Sequence, residues 1–587
     1  MLQGSSRLRR LVLSLLTIAP ALAWAAPPRA TVWVAEATEK IAADERARPD
    51  RVNARIAAAR NEFEAFQIVV TGNARGVRAT ATPLSQPGVA PITNVRLHQA
   101  ALMTISQPSA ADSVTGRIPD ALIPEVDEVV GEQRNAFPFD VGNESRAIWV
   151  EVFVPKTAAP GVYTGSVTVS HSRGQVAVPV ELTVWGFELP STSTVRSAFG
   201  LSWGALPSGH GFSESDFHTY ATLRARYGQF ALDHRVTLSG HDDGAWDDFN
   251  HFQRYYGPLM NGTPLTDGTL PPRLEGAKLT AVQYLPSYAA LANKDVLIAE
   301  MKVWAERYRA NGWFDRLFQY TCDEPPYQGC DWSDIALRAS AAKIADPQFR
   351  TLVTTTINDY FPYVTQGVDL DLIVPVVNFM ENRAGQLYAG NQRDNYDNYQ
   401  GYAFLGSDPL NELWMYQSCM SHGCGGGGSI NDTGWPSYMI DATAVRNRAM
   451  QWILFNYRAT GELYWDTAYA YGRGDPWNSQ WEFGGNGDGT LFYPGTPSKI
   501  GGTTNIPVAS IRLKMIREGM EDYEYLTQAA KVHPLCTNAI AWGLFPRTYQ
   551  TDKATPAALM TAREQLARLI LAGKNGVVPT CPVPITP

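Results

Sequence analysis

The sequence predicts a multidomain chain of β plus α/β class: an N-terminal β-sandwich, then a (β/α)8 TIM-like barrel, then a short C-terminal helical tail. Three observations carry this expectation. Residues 30 to about 190 hold strand-like runs punctuated by Gly and Pro, with almost no helical period. After residue 195, strand-like runs alternate with amphipathic helical stretches, which is the mark of βα units around a parallel sheet. Eight such strands over about 330 residues fit a closed barrel better than a doubly wound sheet, which usually has fewer. The 587 residues divide on this reading into a signal peptide (1–25), a sandwich (26–192), a barrel (193–531) and a tail (532–587).

The first segment has the three zones of a secretory signal. Arg7, Arg9 and Arg10 form a positive start, Leu11 to Leu22 is an apolar run interrupted by Ser14, Thr17 and Pro20, and Ala23-Trp24-Ala25 puts small residues where a signal peptidase reads. Cleavage is expected before Ala26. About 12 apolar residues are too few to span a bilayer, so export to periplasm or medium is expected rather than anchoring.

In the sandwich, Thr31–Val34, Phe63–Val70 and Ala147–Val154 are strand-like. Gly161–Val169 and Val176–Val184 form a hairpin about the turn at Ser172-Arg173-Gly174. Leu189-Pro190-Ser191-Thr192 ends the domain. The barrel strands are expected at Ser197–Ser202, Val236–Ser239, Ala281–Leu285, Arg316–Thr321, Thr351–Thr356, Leu372–Val377, Leu413–Gln417 and Glu462–Asp466. Helices are expected at Glu214–Tyr227, Ala289–Ala310, Trp332–Ala345, Ala442–Arg458 and Val508–Ala530, with one more near Ala557–Leu571 in the tail. The connection between the second and third strands shows no clear helix.

Composition narrows the partners. The formal charge of −8 comes without a basic block, which argues against nucleic acid or an anionic membrane. The 16 Trp, 26 Tyr and 22 Phe suggest an aromatic-lined protein. The six cysteines fall as Cys322/Cys330, Cys419/Cys424 and Cys536/Cys581. In an exported chain an even count favours disulfides, and sequential pairing is expected although many pairings are allowed. No C-x2-C or H-x3-H spacing supports zinc, and neither a metal nor an organic cofactor is expected.

Barrel chemistry sits at the C-terminal strand ends. There the sequence offers His241 after strand two, Tyr320 and the adjacent pair Asp323-Glu324 at strand four, and Asn358 after strand five. Asn378 and Glu381 follow strand six, Trp414 and Tyr416 lie on strand seven, and Trp465 and Asp466 end strand eight. Carboxylates perform glycosidic acid/base work, and aromatic faces suit sugar rings. Beyond a strand end the in–out alternation relaxes, so Asp323 and Glu324 are able to approach one ligand. A plainer reading has Asp323 capping the next helix and Glu324 as a rim charge. Strand seven ends without a carboxylate, which leaves a retaining enzyme lacking its usual nucleophile. Asp466 or Glu381 could substitute, or the substrate could supply its own.

Specific stretches give a family resemblance. They are Ala59–Gln67, Ala159–Gly165, Cys322-Asp323-Glu324-Pro325, Asp488–Gly495 and Ser510–Leu526. The chain resembles glycoside hydrolase family 123 and the broader group sharing its DUF4091-type barrel domain. The resemblance implies a sandwich followed by a barrel, and retaining hydrolysis of terminal β-linked N-acetylgalactosamine. It also implies that Asp323 orients the substrate 2-acetamido group while Glu324 acts as general acid and base. A glycosidase for a sugar without that group, or a non-catalytic carbohydrate-binding protein, stays open. Within Ser510–Leu526, Glu518, Glu521, Asp522 and Glu524 are expected to pair with Arg512, Lys514 and Arg517 along the helix, in a structural role. Asn486–Gly489 lacks the other ligands of a calcium loop, and Gly425–Gly428 lacks the context of a phosphate loop.

Overall fold

A computed structural model describes residues 30–202, 204–239, 249–383, 408–425, 433–577 and 580–581. The proposed signal peptide, His241 and Gly426–Gly428 lie outside these residues. Among the described residues no helix is long and apolar enough to cross a membrane.

Two five-stranded sheets open the chain. One has the order β1 (Thr31–Glu36), β3 (Glu62–Thr71), β8 (Ser145–Val154), β5 (Val95–Ile105), β6 (Gly116–Pro124). The other runs β2 (Ala54–Arg60), β10 (Gly174–Glu188), β9 (Gly161–His171), β4 (Ala74–Ala81), β7 (Phe139–Val141). Phe66, Ile68, Val70, Ile148 and Val150 of the first sheet meet Val167, Val169, Val180 and Leu182 of the second. The opposite face of the first sheet is also buried: Trp33, Val69 and Trp149 pack on Ile511 and Met515. Burial on both faces explains why β3 reads as a near-continuous apolar run instead of an alternation.

The second part is an eight-stranded parallel sheet in the order β12-β11-β18-β17-β16-β15-β14-β13. Its strands are β11 (Arg196–Gly200), β12 (Leu238–Ser239), β13 (Val282–Tyr284), β14 (Leu317–Cys322), β15 (Arg350–Val353), β16 (Leu372–Ile373), β17 (Glu412–Tyr416) and β18 (Gly461–Tyr464). The order is that of a nearly closed TIM-like barrel. At the seam between β12 and β13, Thr237 Oγ1 and Thr280 Oγ1 are 2.9 Å apart and Thr280 N–H donates to Thr237 Oγ1 at 2.9 Å. Every expected strand has a counterpart. The expected Ala289–Ala310 helix is two, Tyr288–Ala292 and Lys294–Ala310, because Asn293 leaves helical geometry and caps the second through its side chain. Helices Phe249–Tyr255 and Gly257–Asn261 fill the connection where the sequence showed none.

The helix Ile511–Val532 corrects the expected pairing. Its charged residues from Arg512 to Glu524 are buried, and most partners lie elsewhere in the chain. Arg512 Nη2 donates to Asp120 Oδ2 at 2.7 Å, and Arg517 Nη1 and Lys514 Nζ reach Glu151 Oε2 at 2.7 and 2.8 Å. Arg235 Nε donates to Glu521 at 3.1 Å, and Arg448 grips Asp522 through Nε and Nη2 at 2.6 and 2.7 Å. Only Arg517–Glu518, at 3.2 Å, joins oppositely charged members of the helix itself. Among the described residues the C-terminal helices Pro534–Leu544 and Pro556–Lys574 pack against it, and Arg563 joins Glu62, Glu64 and Glu518.

Removing one member of a buried pair strands its partner, at about 3–5 kcal/mol. Arg512→Met is expected to destabilise by that amount in a denaturant titration, and Asp120→Leu on top of it to recover a large part. Full stability in the single variant would show that the pair contributes nothing.

Candidate active site

A cleft of about 620 Å³ opens at the C-terminal ends of the barrel strands. One wall is the turn after β14. Cys322 ends the strand and is bonded to Cys330, closing the loop that carries Asp323 and Glu324. Cys419–Cys424 and Cys536–Cys581 are bonded as well. Asp331, not Asp323, caps the helix Trp332–Ala345, in a capping box with Asp334. The capping reading of Asp323 therefore fails, and both acids of the pair line the cleft.

A relay of hydrogen bonds fixes the pair. The Glu324 backbone N–H donates to Thr354 Oγ1 at 2.7 Å, and Thr354 Oγ1 donates to Asp323 Oδ1 at 2.9 Å. Tyr320 Oη donates to the same Oδ1 at 2.7 Å. Across the mouth, Tyr416 Oη donates to Glu324 Oε1 at 2.5 Å. Burial, reinforced by the neighbouring carboxylate, pushes both phenols well above their usual range, so they remain donors. Glu324 sits at φ +39°, in left-handed backbone that costs a residue with a Cβ about 1–3 kcal/mol. That strain turns Glu324 out of the strand alternation and towards Tyr416.

The other wall comes from β18. Asp466 accepts from Ser202 N–H at 2.9 Å, from Ser202 Oγ, and from Ala468 N–H at 2.7 Å. Burial still raises its carboxyl to about 6. Trp465 is 54% exposed, and its ring centroid lies 6.0 Å from that of Tyr469, which lies 5.1 Å from Phe483. Asp488 also lines the cleft, and burial raises its carboxyl to about 7.

Of the residues expected here, Asp323, Glu324, Tyr320, Tyr416, Trp465 and Asp466 line the cleft. Four do not. Trp414 is 1% exposed inside the barrel, edge-on to Phe318, because it lies two residues deeper along β17 than Tyr416. Asn358 is exposed on the helix Ile357–Val364, which Thr356 caps once the chain has passed Thr354. Asn378 is buried, donating to Met420 O at 3.2 Å. Glu381 is 1% exposed and held by Arg547 Nη1 at 3.0 Å and Thr548 N–H at 2.6 Å, so it is no nucleophile for this cleft. The sequence reading missed Thr354, Tyr469 and Phe483 altogether. It quoted Asp488 only as part of a motif.

Asp466 and Asp488 hold their protons more tightly folded than unfolded. Each contributes stability in full below the ordinary value of 3.8 and loses it as the pH rises through about 6 and about 7 respectively. The contribution of these two groups to the melting temperature is expected to fall between about pH 4 and pH 7, and Asp488→Asn to flatten part of that decline. Asp466 and the other carboxylates that burial raises share the remainder, Glu462 and Glu518 among them at about 7. An unaltered slope in Asp488→Asn would contradict the assignment.

Comparison with known proteins supports a glycoside hydrolase. Residues 411–529 match the model of the glycoside hydrolase 123 catalytic domain, a stretch that holds Tyr416, Trp465, Asp466, Asp488 and most of the buried helix. Among solved structures the chain is similar to a family 123 glycoside hydrolase from Clostridium perfringens whose hydrolysis of glycolipid glycans has been analysed. The likeness covers 93% of this chain and 99% of that one, at 13% identity and a TM-score of 0.64. Bacteroides uniformis β-glucuronidase 2 is far more distant, at 9% identity and a TM-score of 0.24 over 79% of this chain and 48% of that one. No curated protein matches the sequence. With the catalytic-domain match added to a strand-end cleft of carboxylates and aromatics, the chain is a glycoside hydrolase family 123-like protein, an enzyme acting on carbohydrate.

Proposed function

We propose that the protein is an exported, retaining β-N-acetylgalactosaminidase-type hexosaminidase in which the substrate 2-acetamido group is the nucleophile. The observation that carries this reading is the relay-held pair at the end of β14. Asp323 and Glu324 are adjacent, and each has one carboxylate oxygen engaged by hydroxyl donors. Among the described residues no carboxylate ends β17, where a conventional retaining enzyme keeps its nucleophile.

The chemistry then divides between the two acids. Asp323, its Oδ1 fixed by Tyr320 and Thr354, accepts the acetamido N–H through Oδ2 and aims the acetamido oxygen at the anomeric carbon. That oxygen forms a bond to C1 as the bond from C1 to the leaving oxygen breaks. Glu324 supplies the proton to the leaving oxygen. Tyr416 occupies Oε1, so Oε2 is the delivering atom. Water then attacks C1, Glu324 takes its proton, and the ring of the intermediate reopens to the acetamide. Two displacements at C1 retain its configuration. Asp466 favours the second reading, a sugar without the acetamido group, because it lies in the cleft. Its three donors, however, already hold it in place.

Glu324→Gln is expected to lower turnover of an aryl β-N-acetylgalactosaminide by about 10²–10⁴-fold, the range of a lost general acid or base. Asp323→Asn is expected to lose activity on that substrate, and a thiazoline mimic of the cyclic intermediate to inhibit the wild type. Unchanged turnover in Glu324→Gln would remove it as the acid. Cleavage of the unsubstituted β-galactoside alone would refute acetamido participation.

A further inference from the structure

Glu324 holds a backbone conformation that its sequence neighbour opposes. It precedes Pro325, and the ring of a proline drives the residue before it towards extended backbone. Glu324 instead sits at φ +39°. The rotation of the peptide that joins Asp323 to Glu324 sets that angle, so the peptide has to be held. Its N–H end is held by Thr354, whose Oγ1 accepts from Glu324 N–H at 2.7 Å. Its carbonyl end stands against sulfur: Cys322 Sγ lies 3.8 Å and Cys330 Sγ 3.9 Å from the Asp323 carbonyl oxygen. The two sulfurs are bonded to each other and carry no proton, so these are packing contacts. Beyond Glu324 the turn closes as its carbonyl accepts from Tyr327 N–H at 2.8 Å.

The bridge is itself anchored at both ends. Cys322 is the last residue of β14 and pairs in register with Val353 of β15. Cys330 immediately precedes Asp331, whose side chain caps the helix Trp332–Ala345. Both cysteines belong to the same buried apolar core as Ile335, Val353 and Ile357, and they are 3% and 8% exposed. A strand end and a helix start thus press two sulfurs on one carbonyl. Such burial keeps the bridge away from thiols in solution, which suits a fixed clamp and not a switch. With its oxygen against the bridge and its N–H on Thr354, the peptide is held in the orientation that sends the Glu324 carboxyl to Tyr416 Oη. A reacting group placed by rigid elements is held more closely than one left to a free loop.

We propose that Cys322 and Cys330 are positioning residues for the general acid: their bridge packs on the Asp323 carbonyl and so keeps Glu324 in left-handed backbone, with its carboxyl at the leaving oxygen. The proposal rests on the reading of Glu324 as the acid, but not on acetamido participation. The test removes the bridge in Cys322→Ala/Cys330→Ala and compares kcat/KM for the phenyl and 2,4-dinitrophenyl β-glycosides of N-acetylgalactosamine, or of galactose if only that sugar is cleaved. Phenol needs a proton to leave, whereas dinitrophenol leaves without one. The variant is expected to lose about 100-fold on the phenyl glycoside, the cost of a displaced catalytic group, and to stay near the wild type on the dinitrophenyl one. Glu324→Gln is expected to show the same selective loss. Cys536→Ala/Cys581→Ala, which removes the bridge of the tail, is expected to show none. Equal losses on both glycosides, or no loss on either, would overturn the positioning role. A bridge-free variant that no longer folds would overturn it too, by making the bridge a requirement of the fold. Absence of the selective loss in Glu324→Gln would instead refute the reading of Glu324 as the acid, and the proposal with it.

Discussion

The structure depends on the burial of the ion pair between Arg512 and Asp120. Two opposite charges taken wholly out of water are tolerated only when geometry and extra hydrogen bonds compensate. Here they do: Arg512 reaches Asp120 with Nε and Nη2, and Gly487 O and Gln480 Oε1 take further donors, while Tyr493 Oη donates to Asp120 at 2.7 Å. Asp120 belongs to β6 of the first sheet, Arg512 to the helix after the barrel, and Gly487 to a loop of the cleft. One guanidinium thus ties the sandwich to the barrel and steadies the backbone beside Asp488. The rest of the helix repeats the device with Glu151, Arg235, Arg448 and Arg563. The sandwich is therefore a support for the catalytic barrel as well as an appendage to it.

The acid pair shows the same principle on a smaller scale. Glu324 is held in left-handed backbone because its N–H has a partner in Thr354 and its side chain a partner in Tyr416. Thr354 in turn holds Asp323, so the two acids cannot be repositioned separately. The Cys322–Cys330 bond closes the loop that bears them. Strain kept by surrounding hydrogen bonds is a common way for a site to be organised before its ligand arrives.

Much of this was legible in the sequence, for identifiable reasons. The eight barrel strands were readable because each is a short apolar run followed by a polar rim. The cysteine pairs that are neighbours in sequence turned out to be neighbours in space. Depth was not legible: Trp414 and Tyr416 share a face of β17 by alternation, and only the packed barrel separates a core residue from a mouth residue. Partner choice was not legible either. The spacing of charges in Ser510–Leu526 permits pairing along the helix, whereas, Arg517–Glu518 apart, the hydrogen-bonded ion partners lie from 45 to 392 residues away in sequence. Asn358 and Glu381 were misplaced because a strand-end position was assigned to residues that fall after the chain has turned into a helix or out of the cleft. Asp488 could have been found from its motif, since a carboxylate between two glycines marks a close backbone approach.

On the proposed reading the nucleophile belongs to the substrate and not to the protein, and substituents on the acetamido group report it directly. The measurement is kcat/KM for aryl β-N-acetylgalactosaminides carrying zero, one, two or three fluorines on the acetyl methyl. Fluorine withdraws electron density from the attacking oxygen, so a steep fall with each fluorine is predicted. A flat series would contradict substrate participation and return the nucleophile to the protein.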